Sequence, residues 1–131
     1  MAKKSTKKFA DVKDLDECYQ IAGLKPIEKW EDVPEEMREC LIAGAKQMVV
    51  VKAANSLRGQ DKPLSWKDRT LQKWFGWIRF NPSGGLAFNI TFCNYSLANA
   101  GDASRLAFYD EADVRKAFEI APQVFEDFLT K

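Results

Sequence analysis

The stretch from Lys73 to Tyr109 constrains the fold more than any other part of the chain. It reads KWFGWIRF, NPSGG, LAFNITFCNY, a loop, and SRLAFY. In an extended chain successive side chains point to opposite sides, so a period of two marks a strand with one buried face. Leu86, Phe88, Ile90 and Phe92 alternate with Ala87, Asn89, Thr91 and Cys93, which predicts such a face. In the preceding run Trp74, Gly76, Ile78 and Phe80 fall on one side, with Phe75, Trp77 and Arg79 on the other. Asn81-Pro82-Ser83-Gly84-Gly85 supplies the breakers that a hairpin loop needs. Ser104 to Tyr109, with Leu106 and Phe108 in phase, reads as a short third strand.

Helices flank this layer. Asp14, followed three residues later by Glu17, reads as a capping box. The helix it opens runs to Ala22 with Leu15, Cys18, Tyr19 and Ala22 on one face, and Gly23 ends it in a left-handed turn. Asp32 as cap, with Pro34 in the first turn, starts a second helix of near 25 residues. Its apolar stripe is Met37, Cys40, Leu41, Gly44, Ala45 and Met48. Val49-Val50-Val51 then makes it oily all round, and Arg58-Gly59 stops it. Gln60 to Gln72 is a polar connector in which Trp66 either plugs the edge of the core, the favoured reading, or stands exposed for a partner. Asp110, Glu111 and Asp113 cap the final helix, which Pro122 divides near Ile120-Ala121. The predicted class is α+β. It is a single domain over residues 11–131 in the order α-α-β-β-β-α, a three-stranded antiparallel sheet with helices packed on one face. The long middle helix is expected to lie across that sheet. Residues 1–10 are expected to form a flexible basic tail.

Histidine is absent, which removes Ser-His-Asp and Cys-His nucleophile systems and Cys/His zinc sites. The three cysteines, Cys18, Cys40 and Cys93, are odd in number and scattered, so they read as small hydrophobes in a reducing compartment. No apolar run approaches a membrane span, and the lysine-rich start lacks the hydrophobic region of a secretory signal. The expected location is therefore intracellular. A net charge of +1 hides an asymmetry: residues 1–10 hold four lysines and no acid, which leaves −3 on the remainder.

Candidate contact residues follow from these patterns. Trp74, Phe75, Trp77, Arg79 and Phe80 form a possible stacking platform for bases, with Lys73 and Arg79 neutralising phosphates. The plainer reading is that these aromatics fill a sheet covered by helices. Arg105, on the third strand, suits a two-pronged contact to a carboxylate or phosphate; the plainer reading is a salt bridge to a helix acid. The loop Asn94 to Asp102, with Tyr95, is long for a hairpin, and such loops often carry function. Lys3, Lys4, Lys7 and Lys8 can reach phosphates through counterion release, or simply solubilise the terminus. The order α-β-β-β-α echoes double-stranded RNA-binding domains, but acids stand where their last helix carries lysines. Asp110, Glu111 and Asp113 have the spacing of a helix cap, so no metal is expected.

The elements Asp14–Leu24, Pro34–Leu57, Trp74–Trp77, Ser83-Gly84-Gly85, Leu86–Phe92, Ser104-Arg105-Leu106-Ala107-Phe108 and Glu111–Leu129 occur in a distinctive order. In this the chain resembles small uncharacterised α+β proteins encoded in phages and integrated elements of gut Bacteroidales. Pro122 stands where that group is expected to have glycine. The resemblance implies a phage or mobile-element origin and carries no activity or catalytic residue with it. The expected function is thus a non-enzymatic accessory protein that binds a macromolecule, protein or nucleic acid, without cofactor or membrane contact. The alternative is a virion or assembly component that oligomerises. Either would act in the cytoplasm of a bacterial cell or in a virion.

Overall fold

A computed structural model describes residues 7–26, 31–60, 62, 67, 70–80, 86–94 and 106–130, with backbone alone at 77–80, 86–94 and 129. A 3-10 turn, Phe9–Asp11, precedes α1 (Leu15–Ala22) and α2 (Glu35–Leu57). β1 (Lys73–Phe80), β2 (Leu86–Asn94), α3 (Glu111–Ile120) and α4 (Pro122–Thr130) follow.

Capping chemistry sets α1. The Asp14 carboxylate accepts from the Glu17 N–H at 2.9 Å. At the other end Gly23 adopts φ 68°, a conformation that costs a side chain-bearing residue strain. Its N–H and that of Leu24 then close the last turn on the carbonyls of Gln20 and Tyr19. The same device ends α2, where Gly59 has φ 77° and Gln60 N–H returns to the Asn55 carbonyl at 2.9 Å.

The start of α2 differs from expectation. Pro34 itself takes the cap position and no side chain caps the helix, so Asp32 does not have that role. Arg38 instead ties the preceding chain down by donating to the carbonyls of Val33 (2.8 Å) and Glu31 (3.3 Å).

Among the described residues the core is mostly helical. Cys18 and Tyr19 of α1, Val49, Val50, Val51, Ala53 and Ala54 of α2, and Val114 and Ala117 of α3 are buried in one cluster. Phe9 and Val12 join it, so the end of the expected tail of ten residues is anchored in the core. Burying each such Val or Phe side chain contributes about 1.5–3 kcal/mol. α2 packs against α1 and α4, while α3 meets both strands. The expected placement of α2 across the sheet is corrected accordingly.

Among the described residues the three-stranded sheet is not formed. Four helices supply most of the regular structure, and the described strands make a single antiparallel pair, β1-β2. The expected third strand is reduced to one bridge, in which Trp74 and Phe108 exchange N–H to carbonyl bonds at 3.0 Å. Its neighbours explain why. In an extended chain alternate residues aim their backbone groups at opposite edges, so Ala107 and Tyr109 face away from Trp74. There the buried side-chain amide of Asn55 donates to the Ala107 carbonyl (3.1 Å) and accepts from the Tyr109 N–H (3.3 Å). One amide from α2 does the work of a neighbouring strand, and Asp110 starts a helix immediately afterwards.

The hairpin is also less regular than the alternation suggests. Trp77 pairs with Ile90, yet Ile78 pairs with Phe88, so Asn89 is an extra residue in β2. A one-residue slip reverses the phase of everything beyond it. The break at Pro122 is as expected: α3 ends at Ile120, Ala121 leaves the helix, and α4 begins at Pro122.

Candidate functional site

Where α3 begins, the start of β1 and the first turn of the helix enclose an open cleft of about 490 Å³. Trp74 and Tyr109 line it, with Asp110, Glu111 and Arg115 from the helix and Gln72 from the approach to β1. Each wall has a local cause. The Phe108 bridge fixes Trp74 beside the segment leading into α3, and the Asn55 amide fixes the backbone of Tyr109. The Tyr109 hydroxyl reaches toward the Lys62 carbonyl at 3.5 Å. Asp110 caps the helix by accepting from the Ala112 N–H at 2.9 Å, and Glu111 and Arg115, one turn apart, approach to 3.7 Å.

The same helix start carries a buried carboxylate held by an exposed arginine. Asp113 is 3% exposed and accepts two bonds from Arg58, at 2.5 and 3.0 Å; Arg58 also lies 3.4 Å from Asp110. The hydrogen bond to Asp113 raises the guanidinium above its ordinary pKa, against opposing desolvation. The forked contact is the geometry a carboxylate buried at a helix start needs. It locks the end of α2 to α3, and with Asn55 three residues earlier it sets the position of the cleft.

The residues singled out from the sequence fare unequally. Trp74 is half-buried and lines the cleft. Lys73 is fully buried with its ammonium donating to the Leu71 carbonyl at 3.0 Å, which removes it from any phosphate-facing surface. Lys7 bonds the Glu17 carboxylate, and Lys8 is exposed. Trp77 and Arg79 lie on β1, where the backbone alone is described. Tyr95, Arg105, Lys3 and Lys4 lie outside the described residues, as do Trp66, the 81–85 turn and most of the 94–102 loop. The Asp110, Glu111 and Asp113 group divides into a cap, a cleft wall and an Arg58 partner. Among the described residues no group of three or more Cys, Asp or Glu is placed to hold a metal ion.

Two features were not read from the sequence. One is Asn55, whose signal is a polar residue inside an otherwise oily segment. The other is the exposure of the α2 stripe: Met37 (50%), Leu41 (42%) and Met48 (39%) stand in solvent. At 100° per residue these three fall within about 40° of arc. α4 borders the stripe, since the Phe128 ring lies against Gly44 and the Phe128 carbonyl is 3.5 Å from the Cys40 thiol.

Cys18 is not a nucleophile by environment. Burial, with help from Asp14 and Glu17, pushes the Cys18 thiol up to about 11. No helix among the described residues is long and apolar enough to cross a membrane. Comparisons with protein-family models, with curated proteins and with solved structures returned no match.

Proposed function

We propose that this chain is a non-enzymatic accessory protein that works by binding a protein partner. Its resemblance to proteins of phages and mobile elements suggests the same setting for it. The observation that carries the reading is the stripe of Met37, Leu41 and Met48. Isolated apolar residues are ordinary on a surface, but three on one helical face make a patch that gains by being covered. The partner's chemistry follows from what surrounds the stripe's first turns. Glu31, Asp32, Glu35, Glu36 and Glu39 are all exposed, while the nearby Arg38 is occupied by backbone carbonyls. A complementary surface is apolar at its centre and basic at its edge. A protein suits this better than a nucleic acid, because phosphates would meet these acids while Lys73 is buried.

The test is affinity capture from the bacterial cell that carries the gene, comparing the native chain with Leu41→Lys/Met48→Lys. The reading expects one partner held by the native protein and lost by a variant of unchanged circular dichroism. Equal capture by both, or a shift of single- or double-stranded nucleic acid at low salt, contradicts it. The same stripe favours a second reading, self-association into an assembly. Light scattering decides that point, a concentration-independent monomer mass counting against it.

A further inference from the structure

We infer that the outer edge of β1, at Gly76, Ile78 and Phe80, pairs with the same edge of a second copy of this chain, joining two hairpins into one four-stranded sheet. The α2 stripe plays no part in this contact. In an antiparallel pair the residues of a strand aim their backbone groups alternately at the neighbouring strand and away from it. Trp74 exchanges its bonds with Phe108, on the side away from β2, so Gly76, Ile78 and Phe80 aim the same way. A third strand continuing past Phe108 would set Leu106 opposite Gly76, but Leu106 lies in a 3-10 turn. Among the described residues no strand pairs with β1 on that side beyond Trp74. Gly76 is exposed, and its φ is not positive, so the backbone there does not demand glycine. A glycine inside a strand often marks the close approach of another backbone.

The sequence of the strand suits a second copy. A strand meeting its own copy across a two-fold axis runs antiparallel to it. An axis centred on Ile78 uses all three open positions and stops short of Trp74. Gly76 then stands opposite Phe80 of the second copy, Trp77 opposite its Arg79, and Ile78 opposite itself. Glycine with an aromatic residue and tryptophan with a cation are favourable cross-strand pairs, and no like charges meet. Edges that stay single are commonly guarded by lysines or proline. Residues 76–80 carry one charge, Arg79, and no proline. A two-stranded sheet is marginal on its own, and pairing the edges doubles the strands that share it.

The experiment uses the full chain in sedimentation velocity over a wide range of concentration, with amide hydrogen exchange read by NMR at both ends of that range. A reversible monomer–dimer equilibrium is expected. The amides of Gly76, Ile78 and Phe80 should exchange at least about tenfold more slowly in the dimer, while those of Phe75, Trp77 and Arg79, which face β2, change little. Gly76→Pro removes an outward N–H and spares the β1-β2 ladder. It should weaken the dimer about tenfold or more, and Leu41→Lys/Met48→Lys should leave the dimer intact. A monomer at every concentration overturns the inference, as does a dimer in which those three amides exchange freely. A dimer kept by Gly76→Pro and lost by the α2 double variant overturns it too. Exchange is read on the native chain, so the test stands even where Gly76→Pro fails to fold. Capture through Leu41 and Met48 is measured separately, so the protein-binding reading survives a failure here.

Discussion

The two halves of α2 are built from similar residues and live in different surroundings. From Val49 to Asn55 the helix is encased: Val49, Val50, Val51, Ala53, Ala54 and Asn55 are all buried, with Lys52 left outside. From Glu35 to Met48 it is half open, burying Ala43, Gly44 and Gln47 while Met37, Leu41 and Met48 face solvent. The larger apolar side chains are outside and the smaller ones inside. Periodicity shows that a helix has an apolar stripe, but which face is covered depends on the neighbours. Here α4 presses on the side of small residues, at Gly44. The Phe128 ring against Gly44 shows how close: a Cβ there would sit 2.9 Å from the ring.

This contrast can be broken at either end, and the effects should differ in size. Asn55→Asp is expected to be the most damaging single change. It removes the donor to Ala107 and places a carboxylate in a site 3% exposed. A loss of about 3 kcal/mol or more is expected in urea unfolding, with the Phe108 bridge weakened. Gly44→Ala should cost about 1–3 kcal/mol through overpacking against Phe128. Pairing it with Phe128→Leu should recover part of that loss. Asp14→Ala, at the cap of α1, is expected to cost about 1 kcal/mol. Met37→Gln, in the open half, should shift stability by no more than about 0.5 kcal/mol.

Cys18 sharpens the comparison by pH. Its thiol titrates near 11 in the folded protein against 9.0 unperturbed, so the folded state holds a proton that the unfolded chain releases first. Stability from this group is complete below about pH 9 and lost as pH rises toward 11. Iodoacetamide at pH 8 should accordingly modify Cys40, which is half-buried, before Cys18.

What was legible in the sequence was local. Asp14 and Gly23 bracket α1 because capping and left-handed turns depend on the residues themselves. The stop at Arg58-Gly59 and the break before Pro122 follow for the same reason. The Asp32 cap was a local misreading, since Pro34 takes its place; the larger ones are non-local. The third strand fails because a side chain from α2, more than 50 residues away, takes the backbone groups a strand would need. The regular hairpin register is interrupted at Asn89, because register is set by pairing across the hairpin rather than by the run of residues. Lys73 had the look of a phosphate ligand by position, but its ammonium is turned onto its own chain at Leu71. Trp74 was found because aromatics in a strand were already suspect; Tyr109 was passed over as the last residue of an expected strand.

Mild peroxide oxidation followed by mass spectrometry tests the exposed half most directly, since Met37 and Met48 both lie on the stripe. In the free protein both should convert to sulfoxide nearly as fast as methionine in a short peptide, and both should be protected once the captured partner is bound. Slow oxidation in the isolated monomer, or equal oxidation with and without the partner, would contradict an α2 face left open for binding.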